Sequence, residues 1–138
     1  MPYLDPQRLA AARRAAGLSL AELARLVGVG RSRVWDWENG RQSPSPARLT
    51  ALAEALDADV GQLLAAEETT TLRGMRVRAG LTLAQLAQQA GIPTSTYSGW
   101  ERTRLRHPPA RAVLTALAAA LDVEPDDVAR ALTHETTR

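Results

Sequence analysis

The sequence predicts an all-α protein built as two consecutive copies of one five-helix unit. Three observations carry that expectation. No segment alternates apolar and polar residues with the period of a strand. Two stretches, Ser19-Leu20-Ala21-Glu22 and Thr82-Leu83-Ala84-Gln85, have the spacing of a capping box. In that device the hydroxyl accepts from the third helical N–H and the acidic or amide side chain accepts from the cap's own N–H. The chain also repeats itself. GLSLAELARLVGV at residues 17–29 returns as GLTLAQLAQQAGI at 80–92, and Val34-Trp35-Asp36-Trp37-Glu38 aligns with Tyr97-Ser98-Gly99-Trp100-Glu101 at the same shift of 63. LTALAEALD (49–57) then matches LTALAAALD (114–122) at a shift of 65, so the second copy carries two extra residues ahead of its fourth helix.

The elements follow in order. Asp5 before Pro6 is a cap followed by proline at the first helical position, and Leu4 and Leu9 stand where a hydrophobic staple clamps that start. Gly17 ends this helix. The capping boxes open the second, whose Leu23, Ala24 and Val27 form an apolar stripe echoed by Leu86, Ala87 and Ala90. Tight turns at Gly28-Val29-Gly30 and Gly91-Ile92-Pro93 lead directly into a third helix. Ser45-Pro46 and Pro108-Pro109 open a fourth, and Asp59 and Pro125 begin a short fifth. The expected domains are therefore residues 1–66 and 71–138, the second ending in a polar tail. Residues 67–70 form an extended junction reaching ~17 Å.

Charge is partitioned along each unit. From Arg8 to Arg48 there are eight arginines against Glu22, Asp36 and Glu38, a balance of +5, whereas Leu49 to Glu68 holds five acids and no basic residue. The second unit repeats the division, with Arg73, Arg76, Arg78, Arg102, Arg104, Arg106 and Arg111 against Glu101, then Asp122, Glu124, Asp126 and Asp127 against Arg130. A formal net charge of +2 thus conceals two basic front halves suited to a polyanion. Other classes find little support. There is no cysteine for a disulfide or a thiolate metal site. His107 and His134 have no acid or nucleophile at a suggestive spacing, and Asp126-Asp127 suits a helix start, so neither an enzyme nor a metal or other cofactor is expected. MPYLDPQRL lacks the apolar core of a secretion signal, and no long uncharged run is present, which predicts a cytoplasmic protein and no membrane contact.

GRSRVWDWENGR, residues 30–41, poses a specific question. Trp35 and Trp37 are about 200° apart on a helix and cannot share a face. Val34 and Trp37 are expected to face inward onto Leu18, Leu23 and Leu52, leaving Arg31, Ser32, Trp35 and Asp36 outside.

Each unit resembles the Cro and CI-type (XRE) helix-turn-helix domain of phage repressors and bacterial regulators, on the pattern GLSLAELA, turn, VWDWENGR. The resemblance covers about Arg8 to Ala66 and Thr71 to Leu132. It implies lambda-repressor-like domains and a transcriptional regulator, a repressor, that binds double-stranded DNA and is nucleoid-associated when bound. In that family the third helix lies in the major groove. The resemblance then implies base reading by Arg31, Ser32, Trp35 and Asp36, and by Thr94, Ser95 and Ser98 in the second copy. Arg31 pairs with a guanine, Asp36 with a cytosine amino group, and Trp35 lies on a thymine methyl or the sugar backbone. Trp35 covering the stem of Arg31, or meeting another subunit, are the alternatives. Arg33, Asn39 and Arg41 become phosphate contacts, as do Arg102, Arg104 and Arg106. Arg13 with Glu38, and Arg76 with Glu101, match a buried ion pair of similar repressors. One departure occurs in both copies, since the family's phosphate-binding glutamine at the start of the second helix is here Leu20 and Leu83.

The second recognition segment is uncharged and contains Gly99, so the first unit is expected to specify and the second to anchor phosphates. A non-palindromic site follows, unless the whole chain forms a homodimer. The rival reading is a protein-binding adaptor or antitoxin-like module that meets a protein partner through the same surfaces.

Overall fold

The computed structural model describes residues 2–133, which are all-helical apart from turns and one isolated antiparallel bridge between Leu4 and Leu64. His134 and the rest of the expected polar tail lie outside the described residues. By its contacts the chain divides into two units, Met1–Thr69 and Thr70–Arg138.

The first unit contains α1 (Pro6–Ala15), α2 (Leu20–Val27), α3 (Arg31–Glu38) and α4 (Pro46–Ala55). Its first helix forms as the sequence dictates. The Asp5 carboxylate accepts from the Gln7 and Arg8 N–H groups at 3.0 and 3.4 Å, satisfying donors that no helical carbonyl can reach. Leu4 and Leu9 of the staple are both buried. Helix α3 packs on α1 and α2, and α2 packs on α4, around a core of Leu9, Leu23, Val34, Trp37, Leu49 and Leu52.

The second unit contains α5 (Leu72–Arg78), α6 (Leu83–Ala90), α7 (Thr94–Arg102), α8 (Arg111–Leu121) and α9 (Pro125–Thr133). Here α6 packs on α7 and α8, α8 on α9, and α5 on α8 and α9, about Leu86, Tyr97, Leu117, Val128 and Leu132. Both capping boxes are complete. Ser19 Oγ accepts from Glu22 N at 3.0 Å while Glu22 accepts from Ser19 N at 2.7 Å, and Thr82 with Gln85 gives 3.1 and 2.8 Å.

Three local expectations are corrected. The fifth helix of the first unit is a single 3-10 turn, Val60–Gln62, held by Asp59 N–H donating to Gln62 Oε1 at 2.8 Å. Gly61 disfavours continuation, and the chain goes directly into Leu63 and Leu64, which are fully buried. There Asp5 N–H bonds Leu63 O at 2.9 Å and Ala65 N–H bonds Tyr3 O at 2.8 Å, a pairing too short to leave a periodic signal. The junction is not extended throughout, because Ala66–Thr69 forms another 3-10 turn with Glu68 buried. Finally, α8 begins at Arg111, two residues after Pro108-Pro109. Its cap position is Ala110, where the first unit has Ser45 bonding Arg48 N at 3.2 Å.

The Arg13–Glu38 pair is formed and is bidentate, with Nε to Oε2 at 2.6 Å and Nη2 to Oε1 at 3.1 Å. Nη1 also donates to Leu18 O at 2.9 Å, so the guanidinium joins α1, the following turn and α3. Arg76 repeats the arrangement on Glu101 at 2.6 and 3.1 Å and on Leu81 O at 3.0 Å. The side chains are 13% and 7% exposed in the first pair and 7% each in the second, which places them in the regime where a lone partner is costly. The hydrogen bond to Glu38 pushes the Arg13 pKa up. In the second unit Tyr97 adds a third member, its hydroxyl donating to Glu101 Oε2 at 2.6 Å where the first unit has only Val34. Burial, and then the charge on Glu101, push the Tyr97 hydroxyl pKa up.

Removing Glu38 or Glu101 should therefore destabilise its unit by ~3–5 kcal/mol, against under ~1 kcal/mol for an exposed pair. Glu101→Ala should cost more than Glu38→Ala, because it also strands the Tyr97 hydroxyl. Urea unfolding of the full chain, followed by helical circular dichroism, measures both; losses near zero would show that the pairs are not structural.

Candidate nucleic-acid interface

The turn between α2 and α3 fixes how the third helix is presented. Gly28 closes α2 in the left-handed region at φ +84, a conformation that costs most residues with a Cβ. Arg48 of α4 reaches back and donates to Val27 O at 2.9 Å, completing the same helix end. Gly30 then starts α3 at φ −76 without a side-chain cap. The second unit uses Gly91 at φ +73 and Pro93 in those places, again with no side-chain cap on the third helix.

The two faces of α3 separate as its periodicity requires. Val34 and Trp37 are 0% and 1% exposed, whereas Arg31, Ser32 and Arg33 are exposed, Trp35 is 40% exposed and Asp36 is half-buried. All the residues expected outside on this helix thus have accessible surface, Asp36 the least. In the second unit Thr94 and Ser95 are exposed, Ser98 is half-buried and Tyr97 is buried. Trp100 is also half-buried, edge-on to Tyr97 with ring centroids 6.5 Å apart.

The end of α3 explains the outward tryptophan. Gly40 adopts φ +73, and the chain doubles back so that Arg41 N–H bonds Asp36 O at 2.9 Å and Gly40 N–H approaches Trp37 O at 3.4 Å. This is a Schellman closure. It brings the Arg41 guanidinium over the Trp35 ring, 5.2 Å from its centroid. Trp35 therefore carries Arg41. Asn39 places one side-chain N–H on Trp35 O at 2.8 Å, so that donor is committed to the helix end.

The corresponding end of α7 is different. Thr103 is extended, with its hydroxyl bonding Gly99 O at 3.0 Å, and Leu105 N–H is tied to Leu132 O of α9 at 2.9 Å. Arg102 donates to Ser98 Oγ at 2.7 Å, while Arg104 and Arg106 are exposed in the pinned loop. Leu20 and Leu83, the first residues of α2 and α6, are half-buried, and Leu83 packs on the core of its unit.

Sequence reasoning missed the Arg41–Trp35 stack, the Arg48 cap and the Tyr97–Glu101 bond. The first had a readable signal: Asn39-Gly40 directly after a helix marks a reversal that returns the next side chain to the helix's last turn. Arg13 with Glu38 and Arg76 with Glu101 cancel within their own halves, so the basic excess of each front half is carried by other side chains. Among the described residues no helix is long and apolar enough to cross a membrane, and no three His, Cys, Asp or Glu side chains group as metal ligands.

A family model described as a helix-turn-helix domain matches residues 7–66 and again residues 69–131. Neither the curated proteins nor the solved structures include a match to the chain.

Gly28→Ala should lower stability by ~1–2 kcal/mol, the cost of holding a side chain in the left-handed region. Gly30→Ala, where a Cβ meets nothing within 4 Å and φ is ordinary, should cost less than that, only the difference between glycine and alanine at a helix N-cap. Thermal unfolding of the two variants compares them; equal losses would mean that the conformation at Gly28 is not what holds the α2–α3 turn.

Proposed function

We propose that this chain, which belongs to the helix-turn-helix domain family through both of its units, is a Cro/CI-type regulator that represses transcription by binding double-stranded DNA sequence-specifically. Membership of the family carries DNA-binding regulation in general. The finer reading is supported by the outer face of α3, where Arg31 and Ser32 are exposed beside the half-buried Asp36 on a helix whose other face is anchored by Val34 and Trp37. A rigidly backed helix offering a guanidinium and a carboxylate suits base edges, since guanine presents two acceptors and cytosine a donor in the major groove.

The units divide the work. The first specifies through Arg31, Ser32 and Asp36, with Arg33 on a phosphate. The second offers Thr94 and Ser95 on its helix and Arg102, Arg104 and Arg106 beyond it, a set that grips phosphates and discriminates bases weakly. Because the two recognition helices differ, the site preferred by a single chain is not a perfect palindrome; a homodimer would restore the symmetry.

The rival, a protein-binding module, would draw on exposed apolar surface. Among the described residues the exposed large hydrophobics are Leu26 and Trp35, and the ring of Trp35 carries Arg41. Leu26 alone is the kind of scattered surface residue that needs no explanation.

Selection of bound sequences from a random duplex pool, with the full chain and its variants, tests the division of labour. Arg31→Ala should change the selected sequence at one or two base pairs; Thr94→Ala should leave it nearly unaltered. Arg106→Ala should weaken all sequences alike and reduce the slope of log affinity against log salt by ~0.9. Equal effects of Arg31→Ala and Thr94→Ala on preference would refute the division. Affinity indifferent to salt between ~50 and ~200 mM would remove DNA as the ligand.

A further inference from the structure

One helical position holds an arginine in both units, by different chemistry. Trp35 and Ser98 correspond at the shift of 63 that aligns the third helices. Arg41 lies over the Trp35 ring at 5.2 Å, and Arg102 donates to Ser98 Oγ at 2.7 Å. The two arginines do not themselves correspond: Arg41 comes from beyond the Schellman turn, whereas Arg102 is the last residue of α7, in the place of Asn39. Different backbones thus bring a guanidinium to the side chain at the same position of the third helix.

We propose that this position is a positioning site for arginine: Trp35 and Ser98 do not read bases but fix Arg41 and Arg102 to grip a DNA phosphate at the end of each third helix. The inference rests on the DNA-binding reading above and refines the part these two residues play in it. A ring face occupied by a guanidinium is not available to a thymine methyl on that side. An arginine held over a ring by its charge spends no N–H donor on a hydrogen bond to that ring. Arg102, bonded through Nη1, has its Nη2 and Nε donors besides, so both arginines can contact phosphate oxygens. Holding the side chain in advance also removes rotamer freedom that the contact would otherwise have to overcome. The backbone at Arg41 is already fixed by its N–H on Asp36 O at 2.9 Å.

The discriminating measurement is the salt dependence of Trp35→Ala, which changes no charge. Affinities of the full chain for its selected duplex are measured across a salt series, with unrelated duplexes alongside. Trp35→Ala should weaken binding to every sequence by about two- to fivefold. It should also flatten the salt slope toward that of Arg41→Ala, which itself falls by ~0.9. The double variant should bind no worse than Arg41→Ala alone, and Trp35→Tyr, which restores a ring face, should recover both affinity and slope. Ser98→Ala should likewise flatten the slope through Arg102. Should Trp35→Ala lose the fold by circular dichroism, Trp35→Leu, which keeps apolar bulk without a π face, should give the same slope change. A shift in selected sequence at an unchanged slope would overturn the proposal, because Trp35 would then be reading a base. Additive losses for Trp35→Ala and Arg41→Ala would overturn it as well. A wild-type chain that binds with no salt dependence would instead overturn the DNA reading beneath it.

Discussion

A guanidinium clamped by a carboxylate between the first and third helices is the constraint from which the rest of each unit follows. Units of this size bury too little apolar surface to fix their helices by packing alone with much to spare. Arg13 and Arg76 each bond a carboxylate on the third helix and a carbonyl at the end of the following turn, Leu18 or Leu81. Three segments are thereby pinned through one planar group. The geometry also decides which way the third helix faces. Glu38 and Val34 lie a turn apart, as do Glu101 and Tyr97, so satisfying the buried charge turns the core residues inward and the opposite face outward. The accessible face of α3 is in this sense a consequence of an interaction it takes no part in.

Much of this was legible in the sequence, and for a physical reason. Capping boxes, the Asp5-Pro6 start and the glycine stops are local devices, in which the residues that act are neighbours along the chain. Repetition in two copies made the reading stronger than either copy allowed. What escaped was mostly non-local or chemically silent. The Leu4–Leu64 bridge joins distant residues without periodicity, and the fifth element of the first unit shrank to a 3-10 turn because Gly61 and the route to buried Leu63 intervene. Arg48 looked like one more basic residue of a charged front, yet it caps α2. In the candidate site, outward and inward faces followed from helix geometry, but the partner of Trp35 depended on where the chain went after the helix ended.

The asymmetry of the two units can be traced to that same junction. Two extra residues stand between the third helix and the fourth in the second copy. One lengthens the helix, since α7 has nine residues and α3 eight, and the other lengthens the loop, residues 103–110 against 39–45. With Asn39-Gly40 replaced by Arg102-Thr103, no residue there reaches the left-handed region and the Schellman closure is lost. The loop instead runs out extended and is tied to α9 through Leu105.

Such a difference at a helix end matters more than its size suggests. A reversal that keeps the chain against the last turn places one guanidinium over the outward ring of that turn. The second unit's longer loop instead carries Arg104 and Arg106 on a chain bonded to α9 at Leu105. Ser98 can hold Arg102 only because that residue lies on the helix itself, four positions along and on the same face. A tryptophan at position 98 would have lacked a doubled-back arginine to carry, and a serine at position 35 would be too short to cover one arriving from Arg41. The side chain at this position and the form of the helix end correspond within each unit: a ring beside a doubled-back arginine, a hydroxyl beside one on the helix itself.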